Sequence, residues 1–310
     1  IDNKLAWTQT FGEQSPGIPA SGNTLYNIAS MSKPISAELI LRLAAKGWID
    51  LDESLSKHWI DPDIKDNPWH KLLTPRINLS HQTGFPNWRR DEPLNFQFKP
   101  GTRSAYSGEA YEYVARFAAL KLNQGFEKLV QHHVFGPIGM DETAYTERPW
   151  FKGRVAMPMG PEGELGQPDI REQYLASDDV HTTVKDYSKF MLSVMRGDEL
   201  STEMSAKRFE VAHNLKSMLC HPERLKQMHC PEHMGFALGW SVFKYKAETV
   251  IMHGGGDWGE RTLGFYVPER RLGLVVFTNG ANGMKVIRDI TKMLYDNPAF
   301  IAFLSFQAGS

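Results

Sequence analysis

Ser30-Met31-Ser32-Lys33 places a hydroxyl and an amine three residues apart, and the residues that follow it place both at the start of a helix. Ile35, Leu39, Ile40, Leu43 and Ala44 recur at helical spacing over residues 30–46 and form one apolar face. Pro34 falls in the first turn, where its missing N–H costs nothing, and Gly47 ends the segment. Side chains three apart on a helix share a face, so an unprotonated Lys33 can take the proton that otherwise makes Ser30 a poor nucleophile. A helix N-terminus also favours a negative charge developing beside it. The same spacing recurs at Ser54 and Lys57, in a polar stretch after Asp50-Leu51-Asp52-Glu53 that has no such helix and reads as solvated surface. Alone, Ser30 reads first as a helix cap and Lys33 as a solvated lysine.

The 310 residues fit one large domain or two intimate ones, and 41% hydrophobic with 23% charged residues is an ordinary globular balance. A net charge of −1 gives no bulk electrostatic reason to expect nucleic acid or an anionic membrane as partner. No apolar run approaches the roughly 18–20 residues that span a bilayer. The start, Ile1-Asp2-Asn3-Lys4, lacks the basic-then-apolar pattern of a signal peptide. The expectation is a periplasmic or secreted protein whose signal is not in this chain, with a cytoplasmic home as the alternative. The two cysteines, Cys220 and Cys230, lie among His213, His221, His229 and His233. A disulfide and two free thiols both fit, and the spacing matches no standard zinc motif. No metal or organic cofactor is expected.

Along the chain, residues 7–28 read as strand, turn and strand, and residues 61–105 mostly as loops. Helices are expected at 109–123, 126–134, 183–196 and 284–295, and strands at 236–244, 248–253, 262–267 and 272–278. Strands at both ends around a helical, loop-rich middle predict an α+β protein with an insertion. The expected division is a discontinuous sheet domain of residues 1–46 and 184–310, with 47–183 inserted as a mostly helical domain.

Three further stretches carry chemistry. They are Leu79-Ser80-His81-Gln82-Thr83-Gly84, Tyr106-Ser107-Gly108 after Pro100-Gly101, and His253-Gly254-Gly255-Gly256 at the end of a strand. With these in place the chain resembles the serine β-lactamase and penicillin-binding-protein superfamily, nearest the branch of class C β-lactamases, D,D-peptidases and β-lactamase-like esterases. That family carries Ser-x-x-Lys, Tyr-x-Asn and Lys/His-Thr/Gly-Gly in this order. The flanks agree as well: Thr24 to Ala29, Gly136-Pro137-Ile138-Gly139-Met140, Gly235 to Trp240 and Thr278-Asn279-Gly280.

The resemblance implies an antiparallel sheet flanked by helices and formed by both chain ends, with the site in the cleft against the inserted domain. It implies Ser30 as the acylated nucleophile, Lys33 as its base and Tyr106 acting with Lys33, as a phenolate or as a proton relay to the leaving group. The N–H groups of Ser30 and Gly256 would form the oxyanion hole, and Gly254-Gly255-Gly256 would leave a bare strand edge for the acyl group. His253 stands where many members have lysine, so its pull on a substrate carboxylate should weaken above roughly pH 6.5. His81 is expected to brace its loop. His181 and Asp178-Asp179 are expected in structural hydrogen bonds. Gly108 stands where β-lactamases have asparagine, which argues against efficient β-lactam turnover. Glu109 is weighed as a partial substitute and as a simple helix N-terminal acid.

The resulting expectation is a serine hydrolase acting on a small-molecule or peptide-like amide or ester, with esterase or peptidase activity favoured. The alternatives are a true class C-type β-lactamase, a D-alanyl-D-alanine carboxypeptidase, and a silent relative that binds peptidoglycan or a protein partner. Oligomeric state is not readable.

Overall fold

The computed structural model describes residues 1–220 and 230–309. Its centre is a five-stranded antiparallel sheet in the order β10-β9-β8-β7-β6, made by His233–Phe236 (β6), Ser241–Lys244 (β7), Thr249–Gly256 (β8), Arg261–Val267 (β9) and Leu272–Thr278 (β10). Side chains alternate across it with the period of two that a strand imposes. Val250, Met252, Leu263, Phe265 and Phe243 join one apolar cluster, with Ile287, Tyr295, Phe300 and Leu304 of the two C-terminal helices, Gly283–Leu294 and Pro298–Gln307. Val242, Ile251, Tyr266 and Phe277 join the other, with Met31, Ile35 and Leu39 and with Tyr187 and Phe190 of the Val184–Arg196 helix. The result is three layers, helix on sheet on helix.

Helix α1, Ser32–Ala45, is the inner wall of the second layer. The expected single apolar face is too modest, because Ser32 through Leu43 are buried all round. Its two mid-helix charges are matched inside the protein. Glu38 pairs with Arg208 at 2.8 Å, and Arg42 donates to His133 C=O at 2.9 Å and to Ser193 Oγ at 2.8 Å.

One expectation is corrected. The main sheet is not built from both chain ends: all five strands lie between 233 and 278. The N-terminal segment instead forms a small separate hairpin, Glu13–Ser15 (β1) with Ile18–Pro19 (β2). Its strands are two and three residues long and end in Pro19, too short to extend a sheet edge. A further three-stranded patch joins Tyr26–Asn27 (β3), His181–Thr182 (β5) and Thr143–Ala144 (β4). This patch brings the segment before Ser30 against the segment before the Val184–Arg196 helix. The expected strand 236–244 is two strands, separated by a turn in which Ala237 N–H donates to Trp240 C=O at 2.8 Å. Gly239 in that turn has φ +87°, and a Cβ there would meet Ala37 Cβ at 2.3 Å. Among the described residues no helix is long and apolar enough to cross a membrane.

Cys220 and Cys230 are joined in a disulfide, which takes both thiols out of any zinc site. His221 and His229 lie outside the described residues.

Candidate active site

The turn carrying Ser30 is held from both sides. Asn27 Oδ1 accepts the Ala29 N–H at 2.8 Å, and Asn27 Nδ2 donates to Asp179 Oδ1 at 3.0 Å. Ile28 N–H donates to Val180 C=O at 3.0 Å, and Ser32 Oγ bridges Ala29 C=O at 2.7 Å and Val180 N–H at 3.1 Å. These bonds hold Ala29 at φ 46°, a left-handed conformation that costs a non-glycine residue on the order of 1 kcal/mol. Ser30 therefore sits in a tight 3-10 turn, Ala29–Met31, immediately before α1 rather than in its first turn. It caps neither segment. Its Oγ accepts from Lys33 Nζ at 3.0 Å.

Lys33 is fully buried. Its ammonium also donates to Ser177 C=O at 2.9 Å and lies over the Tyr106 ring, 4.8 Å from the centroid. The rings of Trp88 and Tyr111 stand at 5.9 Å. The tetrad's twin is unlike it: Ser54 Oγ binds Ser56 Oγ at 2.8 Å and Lys71 C=O at 2.8 Å, and Lys57 is exposed.

Tyr106 is fixed by its neighbours. His81 is buried at φ 57°, takes the Ser107 N–H on Nδ1 at 3.0 Å, and stacks on the Tyr106 ring at 4.5 Å. Burial, then the nearby Lys33 charge, hold His81 well below the usual histidine range, so it is a neutral brace. The Tyr106 hydroxyl has no hydrogen-bond partner among the described residues. Gly108 is explained by Trp88: a Cβ there would lie 2.9 Å from Trp88 Cη2 and 3.0 Å from Asn87 C=O. The indole occupies the space a side chain at 108 would enter. Glu109 does not substitute for the missing amide. It turns to the Arg89 backbone and guanidinium, at 3.0 and 2.9 Å, in a cluster with Asp61 and Asp63.

The β8–β9 hairpin closes with Asp257 N–H donating to Glu260 C=O at 3.1 Å. Counting back in an antiparallel ladder, Gly255 and His253 turn their peptide groups to β9, and Gly254 and Gly256 turn theirs to the opposite edge. On that edge β7 stops at Ser241, opposite Met252, so the strand beyond has no ladder partner among the described residues. Gly255 faces the Ser30 turn. A Cβ there would meet Ile28 C=O at 2.2 Å and Thr262 Oγ1 at 2.3 Å, and Thr262 Oγ1 donates to the same Ile28 C=O at 3.0 Å. The Ser30 N–H has no acceptor among the described residues.

The expected pH-dependent charge on His253 is corrected. The ring is buried, and burial followed by the Lys33 charge pulls it down to about 3. Nδ1 donates to Gly254 C=O at 2.8 Å, which fixes the neutral tautomer and leaves Nε2 as an acceptor. Asp179 and His181 do hold structural bonds. Asp179 pairs with Arg171 and Asn27, and His181, pulled down to about 4 mainly by burial, meets Asp179 C=O at 3.2 Å. Asp178 is half-buried and pushed up to about 7 by burial, against the pull of Lys33.

With this geometry the arrangement can polarise the Ser30 hydroxyl toward an amine and bind an acyl oxygen between the Ser30 turn and the edge of β8. The beta-lactamase family model matches residues 1–295. The chain belongs to the beta-lactamase family. Among relatives, the D-alanyl-D-alanine-carboxypeptidase/endopeptidase AmpH of Escherichia coli K12 is 21% identical over 303 residues, covering 89% of this chain and 77% of its own. The human putative beta-lactamase-like 1 is 26% identical over 224 residues, 63% of this chain and 45% of its own. The octameric penicillin-binding protein homologue of Pyrococcus abyssi superposes with a TM-score of 0.78 at 20% identity, over 96% of this chain and 72% of that one. The D-amino acid amidase of Ochrobactrum anthropi does so at 0.67 and 18%, over 87% and 80%. These beta-lactamase-fold neighbours share the α+β architecture.

Three residues around this family site escaped the sequence reading. Trp88 lies in a Pro/Asn-rich loop with no motif. Ser177 meets Lys33 through its backbone carbonyl, which leaves no mark in sequence. Glu112 was visible as a carboxylate inside the apolar run Tyr111-Glu112-Tyr113-Val114, a position that demands partners. Its Oε1 accepts from Ser177 N–H at 2.9 Å and Ser177 Oγ at 2.6 Å, and its Oε2 from Ala176 N–H at 3.1 Å.

Proposed function

We propose that this protein is a serine hydrolase that opens an amide or ester through an acyl-enzyme on Ser30. The observation that carries the reading is the 3.0 Å contact between Lys33 Nζ and Ser30 Oγ, set beside a bare strand edge. In this reading Lys33 first gives up one ammonium proton to solvent, and the free amine then accepts the Ser30 proton as Oγ attacks the carbonyl carbon. The N–H groups of Ser30 and Gly256 hold the oxyanion, and Gly254 and Gly255 let the acyl group lie along the strand. Tyr106, with its hydroxyl unbonded and its ring against Lys33, passes a proton to the leaving group. Water then releases the acid and restores Ser30. Such an oxyanion donor is typically worth ~10²–10³ in rate.

Esterase or peptidase activity is favoured over efficient β-lactam hydrolysis. Trp88 fills the space beside Gly108, and a neutral His253 offers no charge to a β-lactam carboxylate. D-alanyl-D-alanine carboxypeptidase activity, the activity in AmpH's name, remains the runner-up. The disulfide supports a location outside the reducing cytoplasm.

The test is labelling with a fluorophosphonate and a fluorescent penicillin, comparing the parent with Ser30→Ala. Ser30-dependent labelling is expected with at least the fluorophosphonate. A folded parent labelled by neither would leave the silent, ligand-binding relative as the better account. Turnover of a short-chain nitrophenyl ester should exceed that of a chromogenic cephalosporin, and the reverse order would overturn the esterase preference.

A further inference from the structure

The Lys33 ammonium is held by two acceptors, and one of them, the Ser177 carbonyl, belongs to a tight turn closed by the isolated bridge between Leu175 and Asp178. The turn is also anchored by a side chain from another element. Glu112, on the Glu109–Lys121 helix, takes the backbone N–H groups of Ala176 and Ser177 and the Ser177 hydroxyl as well. From the other side Ser36 Oγ, one turn beyond Lys33 on α1, donates to Ala176 C=O. Burial holds the Glu112 carboxyl above the usual carboxylate range, and the Ser177 and Ala176 donors and then Lys33 offset part of that rise. Three donors converging on one carboxylate hold it in a single orientation.

We propose that Glu112 is a positioning residue for Lys33: by clamping Ala176 and Ser177 it fixes the carbonyl that aims the ammonium at Ser30. Glu112 touches neither Ser30 nor the bare strand edge, so it acts on Lys33 through the Ala176–Ser177 turn and through its charge. The hydrolase reading above is needed for the kinetic arm of the test, and the spectroscopic arm stands without it. A simple structural latch between helix and segment would contribute to stability and leave Lys33 as it is.

The deciding variant is Glu112→Gln, which keeps one acceptor oxygen and sets an amide N–H against the Ala176 N–H. Two quantities are measured on the full chain. The first is exchange of the Lys33 ammonium protons with water, followed by NMR on ¹⁵N-lysine protein and assigned by the signal lost in Lys33→Ala. Exchange should quicken by roughly tenfold as the Ser177 carbonyl drifts. The second is nitrophenyl ester hydrolysis, where kcat should fall by about 10–100-fold with KM within twofold, as expected of a displaced base. Parental exchange together with parental kcat in a folded Glu112→Gln would overturn the proposal. If the parent itself shows no Ser30-dependent turnover, the hydrolase reading fails and the exchange rate alone decides this one. If Glu112→Gln does not fold, Ser177→Ala takes its place, since it removes only the hydroxyl bond. Exchange about threefold faster is then expected, and parental exchange refutes the clamp.

Discussion

Substituting Gly108 by asparagine restores the residue type that the family's second motif carries there, and the structure says it will not fit. The added Cβ would stand 2.9 Å from Trp88 Cη2 and 3.0 Å from Asn87 C=O. The indole can swing, but the carbonyl is pinned by the Gly108 and Glu109 N–H groups at 3.0 and 3.1 Å. Overpacking of this kind costs about 1–3 kcal/mol. For a chain of this size that is a fall in melting temperature of roughly 2–6 °C. Trp88→Ala alone loses the packing of a half-buried ring. Combined, the two should cost less than their sum by about 1 kcal/mol or more, because the second removes the obstacle the first meets. The assay is a double-mutant cycle by denaturant unfolding, with penicillin acylation of Ser30 followed in parallel. Acylation should be slow in the parent, slower in Gly108→Asn, and faster than the parent in the double variant, where the amide stands beside Lys33. Parental stability in Gly108→Asn, or strict additivity in the cycle, would show that Trp88 is not what reserves this space.

Lys33→Ala should stay folded and lose ester hydrolysis by several orders of magnitude, roughly 10³ or more; a change under tenfold by stopped-flow would remove Lys33 from the mechanism. Gly255→Ala sets a Cβ 2.2 Å from Ile28 C=O and should cut Ser30 labelling by about 10²-fold, whereas Gly254→Ala, whose nearest neighbour is Thr262 C=O at 3.5 Å, should keep the parental melting temperature. His253 is neutral down to about pH 3, so the pH–rate profile for ester hydrolysis should show no inflection that disappears in His253→Gln. His181 is pulled from 6.5 to about 4 by burial, so the folded state binds fewer protons than the unfolded one between those values. Its contribution is present above pH 6.5 and is lost as pH falls toward 4, at up to roughly 1.4 kcal/mol per pH unit. Asp178 and Glu260, each pushed up to about 7, act in the opposite sense over that range, so the comparison is with His181→Gln, whose stability should fall less steeply between pH 6.5 and 4.

The sheet strands were legible because a strand covered on both faces reads as a short continuous apolar run, as at Val250-Ile251-Met252 and Leu263 to Val267. The nucleophile helix was legible from its repeat, and the glycines of β8 from their run. What failed had no local signal. The Pro298–Gln307 helix is apolar on nearly every side, Ala299-Phe300-Ile301-Ala302-Phe303-Leu304, so it shows no periodicity to read. The N-terminal hairpin was assigned to the main sheet because strand character says nothing of which partner a strand takes. The charge expected on His253 was wrong because its state depends on burial and on Lys33, 220 positions away in the chain. Trp88 and Glu112 act through distances that only the folded chain creates.

Ala29 holds a left-handed backbone because Asn27, Val180 and Thr262 surround its turn, and Thr262 reaches it across 234 residues of sequence. The conformation is therefore borrowed from the sheet. When β8 and β9 loosen, the turn has a downhill path to an ordinary right-handed backbone, and Ser30 swings away from Lys33 with it. Activity should fail before the fold does on warming or in mild denaturant. In a fragment that lacks the segment from 249 to 278, Ser30 and Lys33 would be only a serine and a lysine near each other in sequence.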